Sequence, residues 1–414
     1  MRKLAFESEG CMANLVDRRT MLKYGAGAAV SAALGGVLRG EEKKSSLQRT
    51  VVVMFDGFGP DYLAESKMPV LGHWRRDGFY KQVTCVMPSV TNANNASICC
   101  GVWPEVHGIT GNSYFDEQSG EVRYTESADL LLAPTLFEHA AKKGVKSALL
   151  SSKAKTVTFL LGGAEIVLTA ENPPPEWVEK LGPAPPIYSR EINYWLVRAA
   201  IDILKNRPDI GCLYVHTTDY AMHMWPPEAP ESKEHLARLD DLFGQAMRAA
   251  PDAAFLLTAD HGMNAKSRCW DLGKVCARQG VPVRRAFSTG RDRYVKHNRG
   301  CSGAAYVYLK SPQDAERVRE ILSKVKGVER VLAREEAARE YRLMKDRIGD
   351  LVVCGDKDTV FGDMDMEEAN FSDGLRSHGS EHERDIPLFV YNAKVVPPSD
   401  FFQHNLDLAR WLFR

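Results

Sequence analysis

The 414-residue sequence has no excess of either charge and contains no C-x-x-C pair. Its 54 basic residues equal its 54 acidic residues, so nothing indicates a surface for polymeric nucleic acid or an acidic tail. The apolar run at residues 24–38 is too short to cross a bilayer comfortably. Internal repeats, low-complexity tracts and heptads are also missing from the pattern, which argues against solenoid and coiled-coil architectures.

The N-terminus has the pattern of an export signal. Arg18 and Arg19 begin a twin-arginine sequence, and the short Ala/Gly-rich run follows them. This pattern resembles a Tat signal, so we expect the Tat export machinery as a partner and the periplasm as the location. We assign residues 1–40 to this signal and residues 41–49 to a charged linker outside the fold. An amphipathic or disordered N-terminal tail is the alternative.

Nine cysteines are present, and the predicted signal contains one of them, Cys11. Export would permit disulfides among the others. Cys269 and Cys276 are close in sequence and form one candidate pair, although sequence alone does not assign the connectivity. The cysteine spacings do not favour a metal–thiolate cluster.

Short apolar runs alternate with amphipathic stretches along most of the chain. Buried strands are predicted at residues 50–55, 145–151, 211–218, 253–258 and 386–391, and helices at 134–143, 190–205, 234–249 and 400–412. The alternation predicts an α/β fold with a mostly parallel sheet sandwiched by helices. Because of its prolines, the stretch 171–186 is expected to be irregular.

Residues 263–376 interrupt this alternation. They are polar and basic at first, and then strand and helix patterns resume. We therefore assign residues 50–262 and 377–414 to a catalytic core, and residues 263–376 to an inserted α+β cap.

Several acidic and histidine side chains follow predicted strands. The carboxyl ends of strands in an open α/β sheet are where ligands bind, and D-x-x-x-H places both side chains on one face of a helical turn. Oxygen and imidazole donors suit Zn²⁺, with Mn²⁺ as the second choice. The candidate ligands are Asp56, Asp219, His223, Asp260, His261 and His378.

Thr91 lies where a polar loop enters a helix predicted to start near Asn94. Unpaired N–H groups at a helix N-terminus suit an anion, so the Thr91 hydroxyl is a candidate nucleophile for phosphoryl transfer. An N-cap role is the alternative. Lys153 and Lys155 follow a predicted strand and could face one ligand, and a solvated loop is the alternative there.

Together these segments resemble the alkaline phosphatase superfamily, in its nucleotide pyrophosphatase/phosphodiesterase branch. Within that branch the sequence is most similar to the phosphonoacetate hydrolases. The resemblance covers roughly residues 51–392 and is carried by MPSVTNANNASICCG, VHGITGNSYFD, TTDYAMH, ADHGMNAK and RSHG.

The resemblance implies a parallel sheet with a cap and two Zn²⁺ ions about 4 Å apart. One ion would be bound by Asp56, Thr91, Asp260 and His261, and the other by Asp219, His223 and His378. Thr91 would be the nucleophile and Asn112 the phosphoryl-binding amide. Lys153 and Lys155 would bind the substrate. His382 is a neighbouring rival for His378, which is preferred because His-Gly follows the family pattern.

The implied reaction is hydrolysis of the C–P bond of phosphonoacetate to acetate and phosphate through a phosphothreonine. The first alternative is a nucleotide pyrophosphatase/phosphodiesterase that uses the same site on phosphodiesters. Tyr114, Phe115 and Trp103 could then provide an aromatic slot. The second alternative is a non-catalytic exported zinc-binding protein. The expected partner is a small phosphonate or phosphoester, and the sequence leaves a homodimer open.

Overall fold

The computed structural model describes residues 47–413, so the predicted Tat signal and most of the predicted linker lie outside the described residues. No helix in this part of the chain is both long and apolar enough to cross a membrane. The strands are β1 Thr50–Met54, β2 Phe79–Thr84, β3 Ser113–Asp116, β4 Glu121–Tyr124, β5 Lys146–Ser151, β6 Ile166–Thr169, β7 Ile210–His216, β8 Ala254–Thr258, β9 Asn264–Trp270, β10 Arg285–Ser288, β11 Ala304–Tyr308, β12 Val328–Ala333, β13 Leu351–Gly355, β14 Thr359–Phe361, β15 Glu368–Ser377 and β16 Asp385–Tyr391.

The helices include short single turns as well as long amphipathic elements. They are α1 Pro60–Glu65, α2 Pro69–Asp77, α3 Thr91–Cys100, α4 Pro104–His107, α5 Leu136–Lys142, α6 Ala154–Leu160, α7 Pro175–Leu181, α8 Glu191–Asn206, α9 Tyr220–Met224, α10 Pro230–Ala249, α11 Leu272–Arg278, α12 Val295–Asn298, α13 Ala315–Ser323 and α14 Arg334–Tyr341. The stretch 171–186, predicted to be irregular, contains α7, which begins at Pro175 because proline is tolerated in a first helical turn.

A seven-stranded sheet in the order β2-β16-β8-β1-β7-β5-β6 forms the centre of the described chain. Strands β8, β1, β7, β5 and β6 are parallel, whereas β16 runs antiparallel to both β8 and β2. Every residue of β1 and β8 is buried, as expected for parallel strands that read as continuous apolar runs. The predicted α/β class with a mostly parallel sheet is confirmed.

Parallel pairing brings the carboxyl ends of four central strands to one edge of the sheet. Strand β1 pairs with β7 on one side and with β8 on the other, and β5 pairs with β7. The residues that follow these strands therefore meet at that edge, which is where open α/β sheets hold ligands. Asp56 follows β1, Lys153 follows β5, Asp219 follows β7 and Asp260 follows β8.

Residues 264–377 lie outside the central sheet and fall, apart from Ser377, in the interval that the sequence assigns to a cap. They form a four-stranded sheet, β10-β11-β13-β12, and a three-stranded sheet, β14-β9-β15. Alternate residues of β11 face different clusters, with Tyr306 and Tyr308 in one and Ala305 and Val307 in the other. Strands β9 and β15 were not predicted, because their sequences are largely polar.

The predicted helix at 400–412 is wrong. Residues 399–401 and 405–407 form short 3₁₀ turns. Asp407 accepts hydrogen bonds from the N–H groups of Gln403 and His404, each at 2.9 Å, and Asn405 donates to Asn94. Side chains that bond locally to the backbone compete with helix formation, and here they hold the segment against α3.

The predicted linker extends too far, because Gln48 and Arg49 already belong to the fold. The Arg49 guanidinium donates to the carbonyl oxygens of Leu204, Arg207 and Ile210 at 2.8–2.9 Å. These contacts satisfy carbonyl groups around the C-terminal end of α8, where a cation is favoured.

The candidate cysteine pair is also wrong. Cys269 lies beside Cys301, with 3.6 Å between the sulfur atoms, whereas Cys276 packs among Leu272 and Val275 in a separate cluster. All eight cysteines that the structure describes are free thiols.

Candidate metal centre and active site

Two groups of potential ligand atoms meet at the carboxyl edge of the central sheet. Asp219, His223 and His378 form one group and Asp56, Asp219 and His261 the other, with the atoms of each group within 4.8 Å of one another. Asp260 adjoins the second group, because its Oδ2 lies 3.2 Å from His261 Nε2. Asp219 therefore lies between the two groups rather than in one alone.

The spacing between Asp219 and His223 brings the two side chains together, as the sequence predicts. Asp219 immediately precedes helix α9 and His223 lies one turn into it, so His223 Nε2 is 2.8 Å from Asp219 Oδ2. Gly57 allows Asp219 to come this close to the end of β1. Its φ is +74°, and a Cβ there would lie 2.9 Å from the Asp219 Cβ.

Each of the three histidines is oriented by a backbone carbonyl. Nδ1–H of His223 donates to Arg376 at 2.7 Å, that of His261 to Gly262 at 2.9 Å and that of His378 to Ser89 at 2.7 Å. A neutral ring that donates through Nδ1 carries its lone pair on Nε2. All three Nε2 atoms are therefore free to coordinate a cation, in the arrangement usual for metal-bound histidines.

Several buried atoms of this cluster have no hydrogen-bond partner. They are Asp56 Oδ1, Asp260 Oδ2, His223 Nε2 and His261 Nε2. His261 Nε2 lies 3.5 Å from Asp56 Oδ1 and 3.2 Å from Asp260 Oδ2, so lone pairs face one another across a buried space. Such an arrangement is costly unless a cation lies between the atoms. The residues present thus fit a metal centre of oxygen and imidazole ligands.

The carboxylates of Asp260 and Asp219 differ in how readily they ionise. Burial and then repulsion from Asp56 raise the pKa of Asp260 well above its ordinary value. Burial opposes ionisation of Asp219 as well, but Lys153, His223 and His297 together hold the pKa of Asp219 well below the ordinary value. Burial lowers the pKa of His261 and of His378, so both rings are neutral, which is the form that binds metal.

Thr91 begins helix α3 and is buried. The helix therefore starts three residues earlier than predicted, at the candidate nucleophile itself. Asn112 is held beside it, because Asn112 Oδ1 accepts from the N–H of Asn92 at 2.9 Å. This bond turns the Asn112 amide NH₂ toward the site, where it can donate to a phosphoryl oxygen.

The His378 loop is tied to the loop that precedes Thr91. Ser89 Oγ donates to the carbonyl of Ser380 at 2.7 Å and accepts from the N–H of Gly379 at 3.1 Å. His378 thus faces the site, whereas His382 Nε2 lies 2.8 Å from Glu329 Oε2 on a partly exposed surface. Of the two rival histidines, only His378 is brought to Asp219, at 3.8 Å.

Lys153 and Lys155 are both buried but contact different partners. Lys153 Nζ donates to Asp56 Oδ2 at 2.7 Å and to Asp219 Oδ1 at 2.9 Å. Burial opposes its charge, but Asp219 and Asp56 hold the pKa of the ammonium well above its ordinary value. Lys155 Nζ instead donates to Asp292 Oδ2 at 2.5 Å. The pair thus does not present two unpaired ammonium groups to a ligand.

Three residues near the site were missed by sequence reasoning. His216, the last residue of β7, lies 3.3 Å from Asp56 Oδ2, and His297 Nε2 lies 3.0 Å from Thr218 Oγ1. Asp292 pairs with Lys155. His216 could have been found as a histidine at the end of a predicted strand. Asp292 and His297 lie in a basic stretch without periodicity, and no local signal marks them.

Two of the three residues of the predicted aromatic slot pack against other rings. The Phe115 ring packs 4.7 Å from Tyr308, and the Trp103 ring packs 4.6 Å from His404. A different aromatic group adjoins the site, since Tyr188 and Tyr220 flank His297 with ring centroids 5.3 and 5.8 Å away.

Comparison with known protein families assigns the chain to one of them. The family model for type I phosphodiesterase / nucleotide pyrophosphatase matches residues 50–381. The chain belongs to this family, and its resemblance to that branch of the alkaline phosphatase superfamily is confirmed.

Two relatives illustrate the breadth of the family. Bis(5'-adenosyl)-triphosphatase enpp4 of Mus musculus is 26% identical over 263 residues, which cover 59% of this chain and 54% of the relative. Venom phosphodiesterase 2 of Crotalus adamanteus is 25% identical over 239 residues, covering 53% of this chain and 27% of the relative. The aligned part is thus about half the length of the first relative and about a quarter of the second.

Solved structures match over a larger share of the chain. Phosphonoacetate hydrolase from Sinorhizobium meliloti 1021, in complex with phosphonoacetate, has a TM-score of 0.80 and 27% identity over 89% of this chain and 96% of that one. Murine ectonucleotide pyrophosphatase / phosphodiesterase 5 has a TM-score of 0.64 at 17% identity, covering 88% of this chain and 95% of that one, and shows the fold alone.

Proposed function

We propose that the chain is a metal-dependent hydrolase that cleaves the C–P bond of phosphonoacetate to acetate and phosphate through a phosphothreonine on Thr91. The observation that carries the proposal is the set of three histidines whose Nε2 atoms converge on buried carboxylates beside the start of α3. The 27% identity to a phosphonoacetate hydrolase across most of both chains supports the choice of substrate.

Seven residues would hold two divalent cations, Zn²⁺ in preference to Mn²⁺. When bound, the ions would stabilise negative charge on the attacking and leaving atoms. The proposed ligands are Asp56, Thr91, Asp260 and His261 at one position and Asp219, His223 and His378 at the other.

The reaction follows from what the chain's own residues can do. The Thr91 hydroxyl loses its proton and its oxygen attacks phosphorus, while the Asn112 amide and the N–H groups at the start of α3 stabilise charge on the phosphoryl oxygens. The electron pair of the C–P bond leaves with the acetate carbon, which is then protonated. Water hydrolyses the phosphothreonine, releasing phosphate and restoring the Thr91 hydroxyl.

Hydrolysis of phosphodiesters at the same site is the second candidate. Two observations favour it. First, Lys155, one of the two predicted substrate lysines, is already paired with Asp292. A diester with one negative charge makes less demand on lysine than phosphonoacetate does. Second, Tyr188 and Tyr220, beside the Asp219 group, offer ring faces on which a nucleoside could stack.

The two candidates are separated by assaying purified, zinc-loaded protein on two substrates. Phosphate release from phosphonoacetate and nitrophenol release from bis-p-nitrophenyl phosphate are measured under the same conditions. A kcat/KM for phosphonoacetate that exceeds that for the diester supports the first candidate. Turnover of the diester alone replaces it with the second, and no turnover of either contradicts both.

We also propose export to the periplasm through the Tat route, on the basis of Arg18 and Arg19. Replacing both arginines by lysine is expected to retain the protein in the cytoplasm. Fractionation of cells that express the two forms tests this, and an unchanged distribution would contradict it.

A further inference from the structure

Cys269 and Cys301 face each other in a small cluster of buried side chains beside the three-stranded sheet. Their sulfur atoms are 3.6 Å apart, and the two residues are 0% and 3% exposed. Val360 and Leu375 complete the buried part of this cluster. A free cysteine packs as a small apolar side chain, so packing alone accounts for one buried thiol. It does not account for direct contact between two thiols that are 32 residues apart in sequence.

Gly362 leaves the space that this contact needs. A Cβ on this glycine would lie 2.5 Å from the Cys301 sulfur and 3.6 Å from the Cys269 sulfur, and the first distance is shorter than nonbonded atoms tolerate. The preceding residue, Phe361, exchanges two backbone hydrogen bonds with Ser302, at 2.8 and 3.1 Å. These bonds hold the chain next to Cys301 against strand β14, which itself pairs with β9.

The backbones on both sides are held so that the sulfur atoms have little distance to cover. Cys269 lies within β9, where it pairs with Val360 of β14 on one side and with Ala369 of β15 on the other. The N–H of Cys301 donates to the carbonyl of Asn298 at 2.9 Å. Bonded sulfur atoms are about 2.05 Å apart, so the two atoms need to approach by only about 1.5 Å.

Cys301 is the thiol that an oxidant reaches first. It follows the exposed Arg299 and the half-buried Gly300, whose φ angles are +56° and +73°. Cys269 is enclosed between two strands, and its hydrogen bond to Cys301, together with burial, raises the pKa of its thiol. A protonated thiol is a poor nucleophile toward an external oxidant. Cys301 therefore reacts first, and Cys269 is placed to complete the bond.

We propose that Cys269 and Cys301 form a disulfide when the protein meets a small disulfide such as oxidised glutathione. The Cys301 thiol loses its proton, and its sulfur attacks one glutathione sulfur, which breaks the glutathione S–S bond and expels one thiolate. The Cys269 sulfur then loses its proton and attacks the Cys301 sulfur, which expels the second glutathione thiolate. The two protons go to the two thiolates, so one oxidised glutathione becomes two thiols. The proposed export would bring the chain to a compartment in which such bonds persist.

The bond would fasten the residues that hold the His378 backbone. Ser377 Oγ donates to the carbonyl of Cys301 at 3.0 Å, and the N–H of Gly303 donates to the carbonyl of His378 at 2.8 Å. A crosslink between residues 32 positions apart also restricts the unfolded chain. Oxidation is therefore expected to raise the melting temperature by about 3–5 °C. The inference is independent of which phosphorus compound the protein hydrolyses.

The test uses purified full-length protein that is first reduced and then incubated with oxidised glutathione. Remaining thiols are blocked in denaturant, and peptides prepared without reductant are identified by mass spectrometry. A second sample is unfolded in urea and refolded in a glutathione redox buffer, so that every thiol is accessible. A linked peptide pair that contains Cys269 and Cys301 is expected, and its presence in either sample supports the proposal. Its absence from both samples, or glutathione that stays on Cys301, would overturn it.

Two variants connect the bond with stability. Cys301→Ala is expected to give no linked pair, and its melting temperature should be the same in reduced and oxidised samples. The matched control is Cys276→Ala, which removes a buried cysteine from a separate cluster and should keep both the linked pair and the thermal gain. A linked wild-type protein that melts no higher than the reduced form would overturn the stabilising role.

If Cys301→Ala does not fold, the mapped bond and the thermal shift of the wild-type protein decide by themselves. None of these measurements requires turnover. A failure of the proposed function, seen as no hydrolysis of phosphonoacetate, is therefore distinguished from a failure of this inference.

Discussion

At the scale of the residue, the site is defined by which atom of each side chain remains free. The histidines use Nδ1 for backbone carbonyls, so only Nε2 faces the carboxylates. Asn112 uses its oxygen for the Asn92 N–H, so its NH₂ faces the site. Hydrogen bonds outside the cluster thus determine the coordinating or donating atom inside it.

Thr91 is the residue on which the proposed reaction depends most directly. Thr91→Ala is expected to lower kcat by about 10³-fold or more, because it removes the nucleophile, and to leave the fold intact. Thr91→Ser, which keeps a hydroxyl, should retain much more activity. Steady-state kinetics measures the loss, circular dichroism checks the fold, and mass spectrometry of acid-quenched wild-type protein should detect phosphothreonine. Near-normal kcat in Thr91→Ala would mean that water attacks phosphorus directly.

The two lysines are expected to differ in effect because their partners differ. Lys153 contacts the carboxylates of both ligand groups, so Lys153→Met should lower kcat/KM for phosphonoacetate and for a diester alike, by about 10-fold or more. Lys155→Met leaves Asp292 unpaired and should impair the carboxylate-bearing substrate more than the diester. Kinetics of both variants on both substrates test this. An equal fall for both substrates in Lys155→Met would make that lysine structural.

At the scale of the element, the loop after His378 is held by a buried ion pair with β9. Lys266 Nζ lies 2.8 Å from Glu383 Oε1, and both side chains are 0% exposed. The other Glu383 oxygen, Oε2, accepts from the N–H and Oγ of Ser380 at 2.9 and 2.7 Å. Since Ser380 also contacts Ser89, this network connects β9, the His378 loop and the start of α3.

Removing one partner of that pair should be strongly destabilising. Lys266→Met leaves the Glu383 carboxylate buried and unpaired, and we expect it to lower the free energy of unfolding by about 3–5 kcal/mol. Urea denaturation at neutral pH measures the loss. The matched control is Lys324→Met, whose partner Glu320 lies 2.6 Å away on the surface, and its loss should be below about 1 kcal/mol. Equal losses in the two variants would contradict the argument.

The same pair predicts a pH dependence. Burial opposes ionisation of Glu383, but Lys266, together with hydrogen bonds from Asn264 and Ser380, holds the pKa below the ordinary value of a glutamate. Because the folded pKa lies below the unfolded value of about 4.3, the pair stabilises fully above that pH. Its contribution is lost as the pH falls below about 4.3 toward the folded pKa. Denaturation curves between neutral pH and about pH 3.5 should show a smaller acid-induced loss in Lys266→Met than in the wild type.

At the scale of the whole molecule, the site exists because separate parts of the chain meet at one edge of the central sheet. Strands β1, β7 and β8 bring Asp56, Asp219 and Asp260 together, and the segment after β15 adds His378. The buried cluster therefore carries several carboxylates that a bound cation would compensate.

Metal binding should consequently stabilise the entire fold as well as restore activity. Chelator-treated protein is expected to lose turnover and to unfold at a lower temperature, and Zn²⁺ should reverse both changes. At a free Zn²⁺ concentration 100 times its dissociation constant, one ion contributes about 2.7 kcal/mol. Calorimetry and total metal analysis measure the shift and the stoichiometry, expected to be two ions per chain.

A ligand variant and a matched control make this prediction specific. Asp260→Asn should bind less zinc and show a smaller thermal shift. Asp240→Asn removes a buried aspartate that instead caps α2, through the N–H groups of Val70 and Leu71, and should keep the full zinc response. Full activity in metal-free wild-type protein would contradict the metal requirement.

The sequence by itself determined the α/β class, most of the strands of the central sheet and the residues that follow them. These features depend on local patterns, namely apolar runs that must be buried and polar side chains placed where each run ends. The proximity of Asp219 and His223 in the D-x-x-x-H motif was equally predictable from the sequence, because its geometry depends on one helical turn.

Only the tertiary structure decided the contacts between distant parts of the chain. It placed Lys153 between Asp56 and Asp219, and it brought Asp292 to Lys155 from 137 residues away. It also directed His378, and not His382, toward Asp219. No local pattern encodes such pairings, because a side chain's partner depends on how strands, loops and the residues of the cap interval pack together. The charge that surrounds a bound substrate is therefore a property of the folded chain.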